Sequence, residues 1–336
     1  MKKLLLMALS ILSIGALASC GSKTTTRKTT KNNTTSSTSA RTTTVTTTTK
    51  KKETVTILTP NGTPLMAVAG LIDTEGIDIE AVGGAENLVA GLTTKSHDII
   101  IAPLTAGAKT FVAGKSTYKL EAVVTTNNTY IISKEGTTLT NITDLKSKKL
   151  IAYGKNNTPD IALQNALKNN SMTSSDLEIT YETDVTNATT NFVSTTDYDY
   201  CLIAEPQITQ LKVSKGLNLN VLDLSKYMSS TIYQAGIFVN PDAKNQDRIN
   251  EVIKDIEDNI TYLNGNPTTY AEEIVTKNNS FLNKMGKEVL AQAIPNANIS
   301  FIKAKDNKSN ILAYFTEVSS YNPSAIGGSV TDEFFR

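Results

Sequence analysis

Short runs of β-branched and apolar residues recur along most of this chain. Each run stops at a polar or glycine-proline turn and is followed by a stretch with helical spacing, an alternation that leaves few folds open. Residues 54–59 (TVTILT) read as a buried strand, 60–64 as a turn, and 65–71 as the start of a helix of small apolar residues. Residues 78–82 form a second strand, 83–85 open a helix to Leu92, and 98–102 (DIIIA) form a third strand ending at Pro103. A helix is expected over 106–112, and strands over 120–126 and 129–133 on either side of Asn127 and Asn128. The second half repeats this grammar: strand 150–153, polar loop 154–160, helix 161–168, strand 178–181, helix 184–192 and strand 198–203. Ala204, Glu205 and Pro206 then lead into a helix to Lys215, with further strands over 219–222 and 235–239. The helical C-terminal third opens with the stripe Ile249, Val252, Ile253, Ile256 and Ile260.

Such a pattern predicts α/β architecture: mainly parallel sheets with helices on both faces. Two units joined twice, near 127–133 and 232–236, predict two Rossmann-like lobes linked by a double-crossover hinge. Residues 54–128 with 235–336 would form lobe 1, and 132–230 lobe 2. A ligand would sit between them at the carboxyl ends of the strands.

Charge is distributed unevenly. The 336 residues carry 33 Lys and Arg against 32 Asp and Glu, yet residues 1–52 contain ten bases and no acid. The remaining 23 bases against 32 acids leave the body at −9, which argues against a nucleic-acid partner, since a polyanion needs a basic footprint. A hydrophobic content of 39% suffices for a packed core. One His, two Cys and no Trp disfavour most metal, triad and thiol chemistry.

The N-terminus reads as an address. Lys2 and Lys3 precede an apolar run over 4–17 that is short for a permanent span, and Ala18, Ser19 and Cys20 follow. Leu17-Ala18-Ser19-Cys20 resembles the lipobox of bacterial lipoproteins. The resemblance implies a signal peptide over 1–19, cleavage before Cys20, and acylation of Cys20 as the membrane anchor. Residues 20–52, almost wholly Thr, Ser, Lys, Arg and Asn from Lys23 onward, form the expected lipid-anchored tether, too polar to bury a core.

Five loops in order carry a wider resemblance: TPNGTPLMAVAGL at 59–71, DIIIAPLTAGAKTF at 98–111, YGKNNTPDIALQNAL at 153–167, IAEPQIT at 203–209 and YQAGIFVN at 233–240. With the lipoprotein leader they resemble the solute-binding proteins of ABC importers, in the nitrate/sulfonate/thiamine-pyrimidine binding branch. The resemblance covers about 54–335. It implies a type II periplasmic-binding-protein fold at the extracytoplasmic face of the membrane, a monomer that captures a small molecule and docks on a permease. ATP hydrolysis would fall to the ATPase behind that permease, because this chain has no phosphate-binding lysine loop, and no cofactor is implied.

The loops supply the candidate ligand-binding residues. Asn61, Gly62 and Thr63 lie between a strand and a helix, where free N–H groups point outward. Pro103, Leu104 and Thr105 repeat that arrangement, with Thr105 either capping the helix or touching ligand. Lys155, Asn156, Asn157 and Thr158 precede the next helix, Thr158 before Pro159 reading as a cap. Glu205 precedes another helix and either caps it, closes the lobes or binds ligand. Asn128, Tyr130, Tyr233 and Gln234 sit at the crossovers; an aromatic there, or Tyr153 at a strand end, either stacks on a flat ligand or packs in the core.

The body has only two arginines, Arg248 and Arg336, both outside these loops. Bidentate capture of a carboxylate or sulfonate usually uses Arg. A neutral or heteroaromatic solute, such as a pyrimidine-like vitamin precursor, is therefore favoured over sulfonate or nitrate. Two alternatives stand beside this reading. One is an adhesive or structural surface lipoprotein, which the Thr-rich stalk allows. The other is an enzyme like the pyrimidine synthase relative of this fold, which consumes its own His. The single His97, before a strand, reads as solvated or structural, and Cys201 as a buried small hydrophobe. Replacing Asn61 and Thr158 with Ala is expected to weaken solute binding without unfolding the chain. Unchanged affinity, measured by calorimetric titration, would remove both from the site.

Overall fold

The computed structural model describes residues 53–336, so the lipobox, Cys20 and the basic tether lie outside the described residues. β1 (Val55–Pro60) leads through α1 (Thr63–Met66) to β2 (Ile77–Val82), α2 (Ala85–Thr94), β3 (Ile99–Pro103), α3 (Leu104–Val112) and β4 (Lys119–Thr126). The chain then crosses to β5 (Tyr130–Lys134), β6 (Lys149–Tyr153), α4 (Thr158–Asn169), β7 (Glu178–Glu182), α5 (Val185–Ser194), β8 (Tyr200–Ile203), α6 (Gln207–Lys215) and β9 (Leu219–Asp223). β10 (Tyr233–Val239) brings it back. α7 (Gln246–Gly265), α8 (Pro267–Ile274), α9 (Ser280–Met285), α10 (Lys287–Ala293), β11 (Ile299–Lys303), α11 (Lys308–Tyr321) and α12 (Pro323–Ile326) follow.

Two sheets result, with strand orders β11-β4-β10-β3-β1-β2 and β7-β6-β8-β5-β9. Both are more mixed than the expected mainly parallel sheets. β1 pairs in parallel with β2 and β3, and β6 with β7 and β8. β10 runs antiparallel to β3 and β4, β11 to β4, and β5 to β8 and β9. β5 and β10 follow the two crossovers, so each enters its sheet against the direction of the strands beside it.

Alternation along the strands splits each lobe's core into two layers. In the larger sheet Ile57, Ile99, Ile101 and Ile237 face one side, while Leu58, Ile100, Ala102 and Phe238 face the other. In the smaller, Ile131, Leu150 and Leu202 oppose Ile132, Ile151 and Cys201. The stripe on α7 joins the first of these layers and is buried.

The helix expected over 65–71 does not run through. α1 ends at Met66, and a separate 3-10 turn covers Ala69–Leu71. The cause is tertiary: the Tyr270 hydroxyl donates to the Met66 carbonyl at 2.8 Å, and the Asn259 amide donates to the Ala67 carbonyl at 2.8 Å. Side chains of α7 and α8 thus take the carbonyls that a continuing helix would use. Thr105 and Thr158 are not caps. Pro103 and Asn157 hold the cap positions, and both threonines fall in the first helical turn.

Gly107 marks a point of close packing in lobe 1. A Cβ there would lie 2.1 Å from Cζ of Phe238, whose ring is buried under α3. Gly107→Ala is expected to destabilise the fold by about 1–3 kcal/mol through overpacking, read as a lower urea midpoint at unchanged slope. A midpoint equal to wild type would show that α3 can shift away from β10.

Candidate functional site

Both crossovers pass behind a space bounded by helix N-termini. Asn127 N–H donates to the Ile232 carbonyl at 2.9 Å, and Ile232 N–H donates to Asn127 Oδ1 at 2.9 Å, tying the outgoing strap to the returning one. Asn127 adopts φ 48°, a left-handed conformation that Asn tolerates better than most residues.

Beside them, Asn128 joins the lobes. Its amide nitrogen donates to Thr63 Oγ1 at 2.8 Å and to the Glu205 carbonyl at 3.2 Å, and its Oδ1 accepts from Glu205 N–H at 2.8 Å. Thr63 Oγ1 donates to the same Glu205 carbonyl at 2.8 Å. Gln234 accepts from Asn128 N–H at 2.7 Å and donates to the Asn128 carbonyl and to Thr129 Oγ1, both at 2.9 Å. Thr105 and Thr158 hydroxyls meet at 3.3 Å, a second bridge from α3 to α4.

In front of this network lies a cavity of about 360 Å³, a size suited to a small metabolite. Its lining includes nine of the expected residues: Asn61, Gly62, Thr63, Pro103, Asn128, Asn157, Thr158, Glu205 and Gln234. Several of these spend their hydrogen bonds on each other, as above. Asn61 and Asn157 make no side-chain hydrogen bond within the protein and face the cavity with amides to spare.

Six expected residues lie elsewhere. Leu104 is buried in the lobe 1 core, and Thr105 sits behind Thr158. The Tyr130 hydroxyl donates to the Asn296 carbonyl at 3.2 Å, while burial, then Asp223 and Glu205, push its pKa up to about 12. The Tyr233 ring meets Tyr314 edge-on at 5.6 Å, and its hydroxyl accepts from Asn307 at 2.7 Å. Lys155 and Asn156 border a separate crevice with Asp160, Gln164, Tyr181 and Tyr321. Lys155 Nζ lies 5.2 Å from the Tyr181 ring centre, and Asn156 N–H donates to buried Asp160 at 2.7 Å. Except for Asn156, held by Asp160 four residues on, the group is claimed by a neighbour distant in sequence.

The cavity also takes Tyr153, one of the aromatics weighed for stacking, and residues not expected there: the loops 82–86 and 183–186, Gln207 and Phe281. The two loops hold equivalent places, one after β2 and one after β7, each opening the next helix. That equivalence was the available signal. Tyr153 had the signal of an aromatic at a strand end, and burial raises its phenol well above the ordinary value. Phe281 had none, because α9 reaches the cavity only through lobe 1 packing.

Charged groups on this lining are Glu86, Asp184 and Glu205; no Lys, Arg or His is among the described lining residues. Each carboxylate stands at a helix start. Asp184 accepts from Asn187 N–H at 2.8 Å to cap α5. Glu205 accepts from Thr209 N–H at 3.1 Å and Thr209 Oγ1 at 3.0 Å on α6, and Glu86 lies in the first turn of α2. At α4 the corresponding carboxylate is Asp160. The positive ends of α2, α4, α5 and α6 thus already have an anion from the protein, whereas α1 and α3 have no acid in the first turn.

Two α/β lobes around a hinge-backed cleft define a periplasmic-binding-protein architecture of type II. Residues 70–270, more than half the chain, match the NMT1/THI5-like family, and the chain belongs to that family. No curated protein matches the sequence. Among solved structures, an ABC transporter protein from Parabacteroides distasonis is 17% identical with a TM-score of 0.69, over 85% of this chain and 99% of that one. The periplasmic aliphatic sulphonate binding protein SsuA from Escherichia coli is 14% identical with a TM-score of 0.66, over 83% and 90%. A Candida albicans gene product described as having the generic periplasmic binding protein fold is 14% identical with a TM-score of 0.51, over 84% and 92%. At these identities the likeness is one of fold.

Burial raises the Glu205 carboxyl above its ordinary range, against the lowering effect of the Thr209 N–H, the Thr209 hydroxyl and Lys212. A carboxyl raised in the folded state favours folding most when protonated, and that contribution declines as pH rises through the raised value. Glu205→Gln, neutral throughout, should therefore gain stability relative to wild type as pH rises from about 4, the ordinary glutamate range, toward neutrality. Urea midpoints across that range measure it; a pH-independent difference would mean that Glu205 ionises as easily folded as unfolded.

Proposed function

We propose that this chain is an extracytoplasmic solute-binding lipoprotein that captures a small solute between its lobes and delivers it to an ABC permease. The observation that carries this reading is the cleft between the lobes, backed by two straps and an interlobe hydrogen-bond network, in a chain of the NMT1/THI5-like family. Hinge closure would exclude water and present the joined face of both lobes to the permease. Cys20 would carry the lipid anchor and residues 20–52 the tether; among the described residues no helix is long and apolar enough to cross a membrane.

A non-enzymatic role is supported by where the reactive side chains lie. His97 stands outside the cavity lining, its ring between Ser96 at 2.7 Å and Glu80 at 3.4 Å. Cys201 is fully buried in the lobe 2 core, and burial raises its thiol far above the ordinary value.

The solute is neutral or heteroaromatic, with room for weak positive charge. Three carboxylates and no base on the lining, with an acid already at the starts of α2, α5 and α6, oppose a sulfonate or nitrate. Tyr153 from one lobe and Phe281 from the other offer apolar ring surface to a flat ligand.

A thermal-shift screen of vitamins, pyrimidine amines, alkanesulfonates, nitrate and amino acids tests this directly. A neutral or amine-bearing heterocycle is expected to raise the melting temperature by several degrees, since ligand at 100 times Kd adds about 2.7 kcal/mol of apparent stability. A sulfonate binding more tightly would overturn the solute class. Binding of a host macromolecule with no response to any metabolite would favour the adhesive reading.

A further inference from the structure

α4 of lobe 2 lies along α11 of lobe 1, and the seam between them runs from the cavity toward the returning crossover. Thr158, Ile161, Asn165 and Lys168 succeed one another on α4 at intervals of three or four, so they share one face. Thr158 meets Thr105 of lobe 1, and Ile161 packs in the lobe 1 core cluster that holds Ile311, Tyr314, Phe315 and Val318 of α11. Lys168 Nζ sits 4.5 Å from the centre of the Tyr321 ring, whose hydroxyl donates to the Gln164 carbonyl at 3.1 Å. Asn165 lies in the middle of this row and is 0% exposed.

Neither the nitrogen nor the oxygen of the Asn165 amide has a hydrogen-bond partner. Tyr314 across the seam is also buried, and its hydroxyl approaches Thr158 without a hydrogen bond of ordinary geometry. Of the four buried side-chain polar atoms without a partner among the described residues, three belong to these two side chains; the fourth is Arg248 Nε on α7. A stranded buried donor or acceptor costs about 1–3 kcal/mol, whereas an apolar group of the same shape there costs little. The contrast with the fully bonded Asn128 network a short way off is sharp: one contact between the lobes is satisfied and the other is not.

We propose that Asn165, with Tyr314, is a positioning element that opposes lobe closure. Its amide destabilises the apposed lobes relative to parted ones, in which water would reach it, so that bound solute must make up the difference. This deepens the solute-binding reading and rests on it for its purpose, but closure itself is measured without solute.

The test is hydrogen exchange on the full chain with no solute added. Asn165→Leu is expected to slow exchange about tenfold in α4 and α11, as removal of a stranded amide implies. The same slowing is expected in α6 and α10, which pack on each other across the lobes, and in residues 61–66 beside Glu205, because these surfaces part together when the lobes move as bodies. Tyr314→Phe, which removes one oxygen and keeps the ring, should act in the same direction, and Asn165→Asp in the opposite one. Should Asn165→Leu fail to fold, Tyr314→Phe carries the test. Exchange that is unchanged, or slowed in α4 alone, would reduce Asn165 to local packing and overturn the proposal. A wild-type chain that bound nothing in the solute screen would remove the transport reading and leave this exchange pattern as it stands.

Discussion

Everything about the site depends on how Asn128 is bonded. It stands at the outgoing crossover and reaches Thr63 at the start of α1 in lobe 1 and the Glu205 backbone just before α6 in lobe 2. One buried amide therefore meets a group from each lobe, with Gln234 locking its backbone from the returning strap. The full set of partners explains why polar residues persist at the centre of an apolar molecule: each would be costly alone, and together they are satisfied. They set the distance between the lobes, and hence the size of the cavity in front of them.

The electrostatics of that cavity follow from the same economy of partners. A doubly wound lobe aims helix N-termini at its ligand, which by itself favours anions. Here Asp184, Glu205, Asp160 and Glu86 sit at four of the six helix starts, three of them hydrogen-bonded to backbone N–H groups, and only α1 and α3 start without an acid. A shared architecture can therefore serve solutes of unlike charge, and a fold-level likeness to a sulphonate-binding protein does not carry its ligand across.

Most of the fold was legible because period-2 and period-3.6 patterns are local. The strands at 54–59, 98–102 and 198–203 and the stripe on α7 formed where the apolar spacing required burial on one face. Failures occurred where distant groups intervened. The helix expected over 65–71 broke because Tyr270 and Asn259, some two hundred residues away, bond its carbonyls. The sheets are mixed because β5 and β10, which follow the crossovers, arrive in reverse, and because β11 adds an antiparallel edge to β4, none of which spacing records.

The site divides in the same way. Loops at strand ends could be found by reading along the chain, so Asn61, Asn157 and Glu205 stood out, as did the scarcity of arginine. By itself the sequence determined two α/β units, their double connection and the polar character of the loops between them, since these depend on neighbours a few residues apart. Tertiary structure alone decided which polar groups face the cavity and which bond each other, which carboxylate serves which helix, and that Asn165 is left with no partner. The physical reason is that a hydrogen bond or a buried charge is settled by the group opposite, and that group comes from the other lobe.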